Sequence, residues 1–199
     1  MAPVVPRLLG YHSPSRRKLL LVTLDELGTP FALPAIEGHF TCLLALDIAV
    51  PLDANELGRF CSRLLQLGCA YLCTWGSDCE RVHDIMDEQV IGSDPPRTYL
   101  GCVMTTWHTN DTLKDVLRYF LDCTQPDEEY APHGCKVGLI VSLGSSKWNR
   151  AIEQYVRRRS KRQLPIRNRP IRPVVKLAVR NRLRHLGHQL QLRHVKFHA

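Results

Sequence analysis

Cys79 and His83 are the residues whose types and spacing most readily suggest covalent chemistry. They stand four positions apart in a segment with helical periodicity, so both fall on one helix face. A thiol in the first turn of a helix feels the positive end of the helix dipole, which favours thiolate, and a histidine one turn on supplies a base. Such a pair would serve a thiol-dependent hydrolase. Asp78 and Glu80 flank the thiol and oppose its anion. Both positions also border the apolar stripe of Val82, Met86 and Val90, and a semi-buried cysteine beside a helix-flank histidine needs no chemistry to explain it. No oxyanion-hole pattern accompanies the pair.

Two other motifs invite a ligand. The run Cys69-x3-Cys73-x5-Cys79-x3-His83 has the composition of a zinc site. Cys69 and Cys73, however, are separated along a strand by ~13 Å, and zinc ligands each lie ~2.0–2.3 Å from one metal. No metal is expected. Gly144-Ser145-Ser146-Lys147 follows a strand and opens a helix, so its N–H groups and Lys147 could receive negative charge. It lacks the second glycine of a P-loop, and no GxGxxG follows any strand, so no cofactor is expected. Asp84, Asp87 and Glu88 read as a solvated helix face.

The elements that position these residues alternate regularly. Phe40 to Ile48 is an apolar run of strand length. Asp53 to Glu56 caps a helix that carries Leu57, Phe60, Cys61 and Leu64, and Gly68 ends it. A second strand, Cys69 to Thr74, leads to a helix opening at the capping-box pattern Ser77-Asp78-Cys79-Glu80 and closing at Gly92. A third strand, Tyr99 to Trp107, precedes the stripe Leu113, Val116, Leu117, Phe120 and Leu121. After a polar loop at 124–134, a fourth strand runs from Cys135 to Leu143, and Trp148, Ile152, Tyr155 and Val156 mark a fourth helix. Unbroken apolar strands are buried on both faces, as in parallel sheets. The reading is an α/β three-layer sandwich with a four- or five-stranded, mainly parallel sheet, doubly wound and flavodoxin-like. Residues 1–39 form an N-terminal segment with an extra strand at 17–25, 40–156 the α/β domain, and 157–199 a basic tail.

In such a sheet the ligand crevice lies outside the carboxyl ends of the strands. Trp75, Asp78, Trp107, His108, Ser145 and Lys147 all fall at those ends and are the expected ligand-binding residues. Helix caps recruit Ser, Asp and Asn for their own reasons, but caps do not explain two tryptophans and a histidine.

Charge divides the chain. Residues 1–156 hold 13 Lys and Arg against all 19 Asp and Glu, a net of −6. Residues 157–199 hold the other 14 cations and no acid. A basic tail suits nonspecific, salt-dependent nucleic-acid association, and Phe197 is its single aromatic, so base stacking has little support. An abrupt acid-free Arg/His/Leu/Pro composition is also what translation in a shifted reading frame produces. No apolar run approaches the ~20 residues of a membrane span, and the start of the chain lacks the apolar stretch of an export signal. The eight cysteines then read as reduced, buried apolar residues of a cytoplasmic protein.

The segment Cys73-Thr74-Trp75-Gly76-Ser77-Asp78-Cys79-Glu80-Arg81-Val82-His83-Asp84 resembles a motif, C-x-W-G-x-D-C-E-x-x-H-D, of a family of small bacterial proteins of unknown function. The resemblance covers roughly Leu43 to Trp148, including Thr105-Thr106-Trp107-His108. It implies a bacterial cytosolic origin and a tail outside the shared domain, and it transfers no activity. The combined expectation is an α/β module binding a small anionic ligand or a protein partner at the strand carboxyl ends. The alternatives are the thiol hydrolase and nucleic-acid association through the tail.

Overall fold

A computed structural model of the chain describes residues 3–31, 38–49, 51–92 and 99–161. The chain divides into two units, Met1–Pro165 and Ile166–Ala199. The second unit, and with it most of the basic tail, lies outside the described residues.

The first unit is built on a six-stranded sheet. Its strands are β1 (Arg7–Tyr11), β2 (Lys18–Leu24), β3 (Phe40–Leu46), β4 (Cys69–Gly76), β5 (Met104–His108) and β6 (Val137–Leu143). The spatial order is β1-β2-β6-β3-β4-β5, with β1 antiparallel to β2 and every other pairing parallel. Helices α1 (Ala54–Gln66), α2 (Cys79–Gly92), α3 (Leu113–Asp122) and α4 (Ser146–Lys161) follow β3, β4, β5 and β6. Among the described residues no helix is long and apolar enough to cross a membrane.

Strand alternation sorts the core into two clusters. Cys42, Leu44 and Leu46 of β3 pack with α1 and α2 residues such as Leu57, Leu64, Val82 and Met86. Leu43 and Ala45 pack with Val116 and Phe120 of α3 and Ile152 and Val156 of α4. Successive strand side chains point to opposite faces, so α1 and α2 cover one face and α3 and α4 the other. All seven residues of β3 are buried, as an unbroken apolar run implies.

Several sequence expectations are corrected here. The sheet has six strands, because Arg7–Tyr11 adds an edge strand beside β2. That strand buries only Leu9 and is bulged between Leu8 and Gly10, so it carries no clean alternation. The sheet is not in flavodoxin order. Numbered among themselves, its five parallel strands run 1-5-2-3-4, against 2-1-3-4-5. The chain crosses back after β5, and β6 fills the slot between β2 and β3. The third expected strand begins at Met104 rather than Tyr99: pairing with β4 starts at Tyr71 opposite Met104, and the Gly101 carbonyl accepts from the Tyr130 hydroxyl instead. The loop at 124–134 contains a short 3-10 helix, Glu128–His133.

Caps at the rim fall partly where the sequence puts them. Asp53 accepts from Glu56 N–H at 3.0 Å and Thr112 accepts from Asp115 N–H at 3.3 Å. The expected capping box at Ser77 does not form. Asp78 precedes α2 in the left-handed region with φ of 61°, and its carboxylate holds Arg81 instead.

The loops after β4 and β6 lie against the end of β3. Gly76 has φ of 97° and Gly144 has φ of 85°; an added Cβ would stand 2.2 Å from the Leu46 carbonyl oxygen and 2.3 Å from that of Asp47. Gly76→Ala and Gly144→Ala are each expected to lower unfolding free energy by ~1–3 kcal/mol or more. Gly58→Ala, within α1 and 3.5 Å from its nearest neighbour, is expected to raise it, by ~0.5–1 kcal/mol. Urea denaturation measures all three.

Candidate functional site

The carboxyl ends of β4 and β5 bring the motif residues close in space, and strand parity then separates them. Thr74 stands opposite Trp107 and Trp75 opposite His108. Paired residues share a face, so Trp75 and His108 point one way and Trp107 the other.

On the α3/α4 face the Trp75 indole lies 4.4 Å from that of Trp148, tilted by 47°. Its Nε1–H donates to the Asp111 carbonyl at 2.8 Å. His108 Nδ1 lies 2.7 Å from Asp111 Oδ2, and its ring lies 4.6 Å from that of Tyr119. The Tyr119 hydroxyl in turn meets the Tyr71 hydroxyl at 2.9 Å.

On the α2 face the Trp107 and His83 rings are 4.4 Å apart. His83 Nδ1 lies 3.3 Å from Asp84 Oδ1, and Nε2 is buried without a hydrogen bond, 3.7 Å from Asp87 Oδ2. Thr105 donates to Asp87 at 2.7 Å. Thr74 donates to the Cys79 carbonyl at 2.9 Å, tying β4 to the first turn of α2.

The two faces converge on one loop. Thr109 to Thr112 is exposed, yet Trp75 holds Asp111 from one side and Cys79 Sγ lies 3.8 Å from Thr109 Oγ1 on the other. Trp75 thus acts by fixing a loop backbone, while its ring is 9% exposed. Asp78 is engaged by Arg81, whose guanidinium also reaches the Leu52 carbonyl ahead of α1. Ser145 is buried, and its hydroxyl accepts from Trp148 N–H at 3.3 Å as a cap of α4; Lys147 is exposed. Asp111, Thr109, Tyr119 and Trp148 complete the arrangement. The polar run after His108 signalled the first two, whereas Trp148 read only as helix stripe and Tyr119 carried no signal.

Cys79 is 2% exposed and His83 is 3% exposed. The contact of the Cys79 thiol is with Thr109, not with His83. Burial pushes the Cys73 and Cys61 thiols up to about 12. Cys69, the other member of the zinc-like run, turns its thiol to the Tyr71 carbonyl. Among the described residues no three His, Cys, Asp or Glu side chains form a group that could hold a metal ion.

Two surface clefts lie elsewhere. One of about 750 Å³ runs between α1 and α2, past Arg59, Arg63 and Glu88. Another of about 420 Å³ sits at the amino ends of β3 and β4, beside His39, Tyr99 and Tyr130.

Residues 22–159 match the model of a protein family described as a domain of unknown function, DUF7684. The match spans the sheet from the last residues of β2 onward and nearly all of α4, so the chain belongs to this family. Neither the curated proteins nor the solved structures give a match. Residues 160–199, which include nearly all of the basic tail, fall outside the family match.

Trp75→Phe keeps the ring stack and removes the indole donor. It is expected to raise amide exchange across Asn110–Thr112 and to lower stability by ~1 kcal/mol, read by hydrogen exchange and urea denaturation. Cys79 is expected to alkylate more slowly in the folded protein than in the urea-unfolded chain. A faster folded-state rate at neutral pH would show an activated thiol, as the thiol-hydrolase reading requires.

Proposed function

We propose that the domain is a binding module that takes a basic segment of a protein partner at the carboxyl ends of its strands. The observation that carries this is the charge of that end. Asp25, Glu26, Asp47, Asp53, Glu80 and Asp111 are all exposed there, against the exposed cations Lys114, Lys147 and, one turn into α4, Arg150. Arg81, at the same end, is engaged by Asp78. Helix N-termini favour anions locally, but Asp53 and Glu80 already occupy the first turns of α1 and α2 or the position before them. The summed field of such a rim attracts cations and repels small anions. The notion of an anionic ligand therefore rests on Ser145 and Lys147 alone, and Ser145 is engaged as a cap.

The doubly wound layering supports the same end as the binding edge. β6 leads into α4 on one face and β3 into α1 on the other, so the strand order reverses between these two neighbours. The exposed loop Thr109–Thr112, fixed from both faces, is pre-organised, which reduces the ordering cost of binding. Trp107 and His108 stand at its base.

The test is titration of the full chain with an arginine-rich peptide and, separately, with inorganic phosphate. The peptide is expected to bind with an affinity that falls as salt rises. Asp47→Asn combined with Glu80→Gln is expected to weaken it about 2- to 10-fold, the scale of exposed charge pairs. Peptide binding that ignores both substitutions rejects the acidic-rim reading. Phosphate binding lost in Lys147→Ala would return the site to a small anion.

A further inference from the structure

The loop between β1 and β2 holds a chain of hydrogen bonds at the opposite end of the sheet from the acidic rim. Asp122 closes α3, and its Oδ1 lies 3.2 Å from His12 Nε2. His12 Nδ1 lies 2.8 Å from Ser15 Oγ. His12 is 5% exposed, whereas Ser15 is exposed to solvent.

Donor and acceptor roles follow from the partners. A carboxylate only accepts, so Nε2 carries a hydrogen, and when the ring is neutral Nδ1 is the acceptor. Ser15 Oγ already accepts from Arg17 Nε–H at 3.1 Å and from the Arg17 main-chain N–H at 3.4 Å. Toward a neutral His12 ring its one hydroxyl hydrogen is directed at Nδ1. The supporting groups are fixed. Arg159 grips both oxygens of Asp122 at 2.6 Å. Burial pushes the Asp122 carboxyl up, but His12 and Arg159 outweigh it and hold it below its ordinary range. Arg17 is anchored by the hydroxyls of Thr41 and Thr124 and by the Leu121 carbonyl. Arg16, next to the serine, has φ of 54°, a strained backbone of the kind stored at functional turns.

We propose that Ser15 is a nucleophile activated by His12, that Asp122 is its positioning residue, and that this loop carries a serine-type esterase activity. A hydroxyl, an imidazole and a carboxylate in series define that chemistry by geometry rather than by fold or chain order. In the acylation step Ser15 Oγ attacks the ester carbonyl carbon and its proton passes to His12 Nδ1. The carbon–oxygen bond to the alcohol then breaks, and that alcohol leaves with the proton. Water, deprotonated by the same nitrogen, releases the acid and restores Ser15. Arg17 Nε–H and main-chain N–H donate to Ser15 Oγ and favour alkoxide character there as its proton leaves. The exposed Arg16 favours esters with a negatively charged acyl group. His12, Ser15 and Arg17 precede the family-matched residues, whereas Asp122 and Arg159 lie within them, and the site stands at the opposite end of the sheet from the rim.

The experiment treats the full chain with an alkyl fluorophosphonate. A Ser15 Oγ–phosphorus bond forms, the phosphorus–fluorine bond breaks, fluoride leaves and the hydroxyl proton goes to His12. Mass spectrometry is expected to find the label on Ser15 of the folded protein, with none at that position in Ser15→Ala or in the urea-unfolded wild type. His12→Gln is expected to slow labelling about 10²–10⁴-fold. Asp122→Asn, which presents the wrong tautomer to the serine, is expected to slow it as well, with folding of both variants checked by circular dichroism. A folded protein that takes no label at Ser15 overturns the proposal. So does a labelling rate that Asp122→Asn and His12→Gln both leave unchanged.

Discussion

β3 presents seven consecutive buried residues, and its backbone must find hydrogen-bond partners on both edges while its side chains find apolar cover on both faces. β4 and β6 supply the edges; the helix pairs α1/α2 and α3/α4 supply the faces. The end of the strand is equally enclosed. Leu46 O accepts from Ser77 N–H, and Asp47 N–H donates to Leu143 O. The glycines at 76 and 144 exist because the loops after β4 and β6 must pass within contact distance of those carbonyls. The loops after β4 and β6 are therefore placed by their approach to one central strand.

The same enclosure governs what the rim can do. A strand buried on both faces sends neighbouring residues in opposite directions, so the two tryptophans at adjacent strand ends serve different clusters. Trp75 stacks on Trp148 and Trp107 on His83. The two clusters both reach the Thr109–Thr112 loop, Trp75 by a hydrogen bond to a carbonyl and Cys79 by its thiol beside Thr109. The rim is thus a pre-organised acidic edge rather than a pocket closed between two indoles. The opposite end has another character. His12, Arg17 and Arg159 gather about Asp122, and the β1–β2 turn carries the serine that completes the series.

Periodicity made α1 and α3 legible as stripes, and the cap at Asp53 was legible because it lies within one turn of the residues it serves, whereas the Thr112 cap of α3 came only with the structure. β3, β4 and β6 were legible as apolar runs. β1 was not, since an edge strand with one buried residue and a bulge carries no alternation. The start of β5 was misplaced because pairing, not composition, ends a strand: Gly101 gives its carbonyl to Tyr130, a residue far along the chain. The fourfold spacing of Cys79 and His83 was legible and still did not give a bonded pair, because a shared helix face fixes direction and leaves burial to the neighbours.

The amino-acid sequence by itself determined the class of the fold, the positions of most elements and the end of the sheet at which the motif residues gather. Those features depend on local hydrophobic period and on the direction of parallel strands, both written within a few residues. Tertiary structure alone decided the strand order, the parting of Trp75 from Trp107 and the assembly of His12 and Ser15 with Asp122. Each of these depends on which distant segments become neighbours, and burying both faces of β3 at once sets that choice, which no local window of the chain contains.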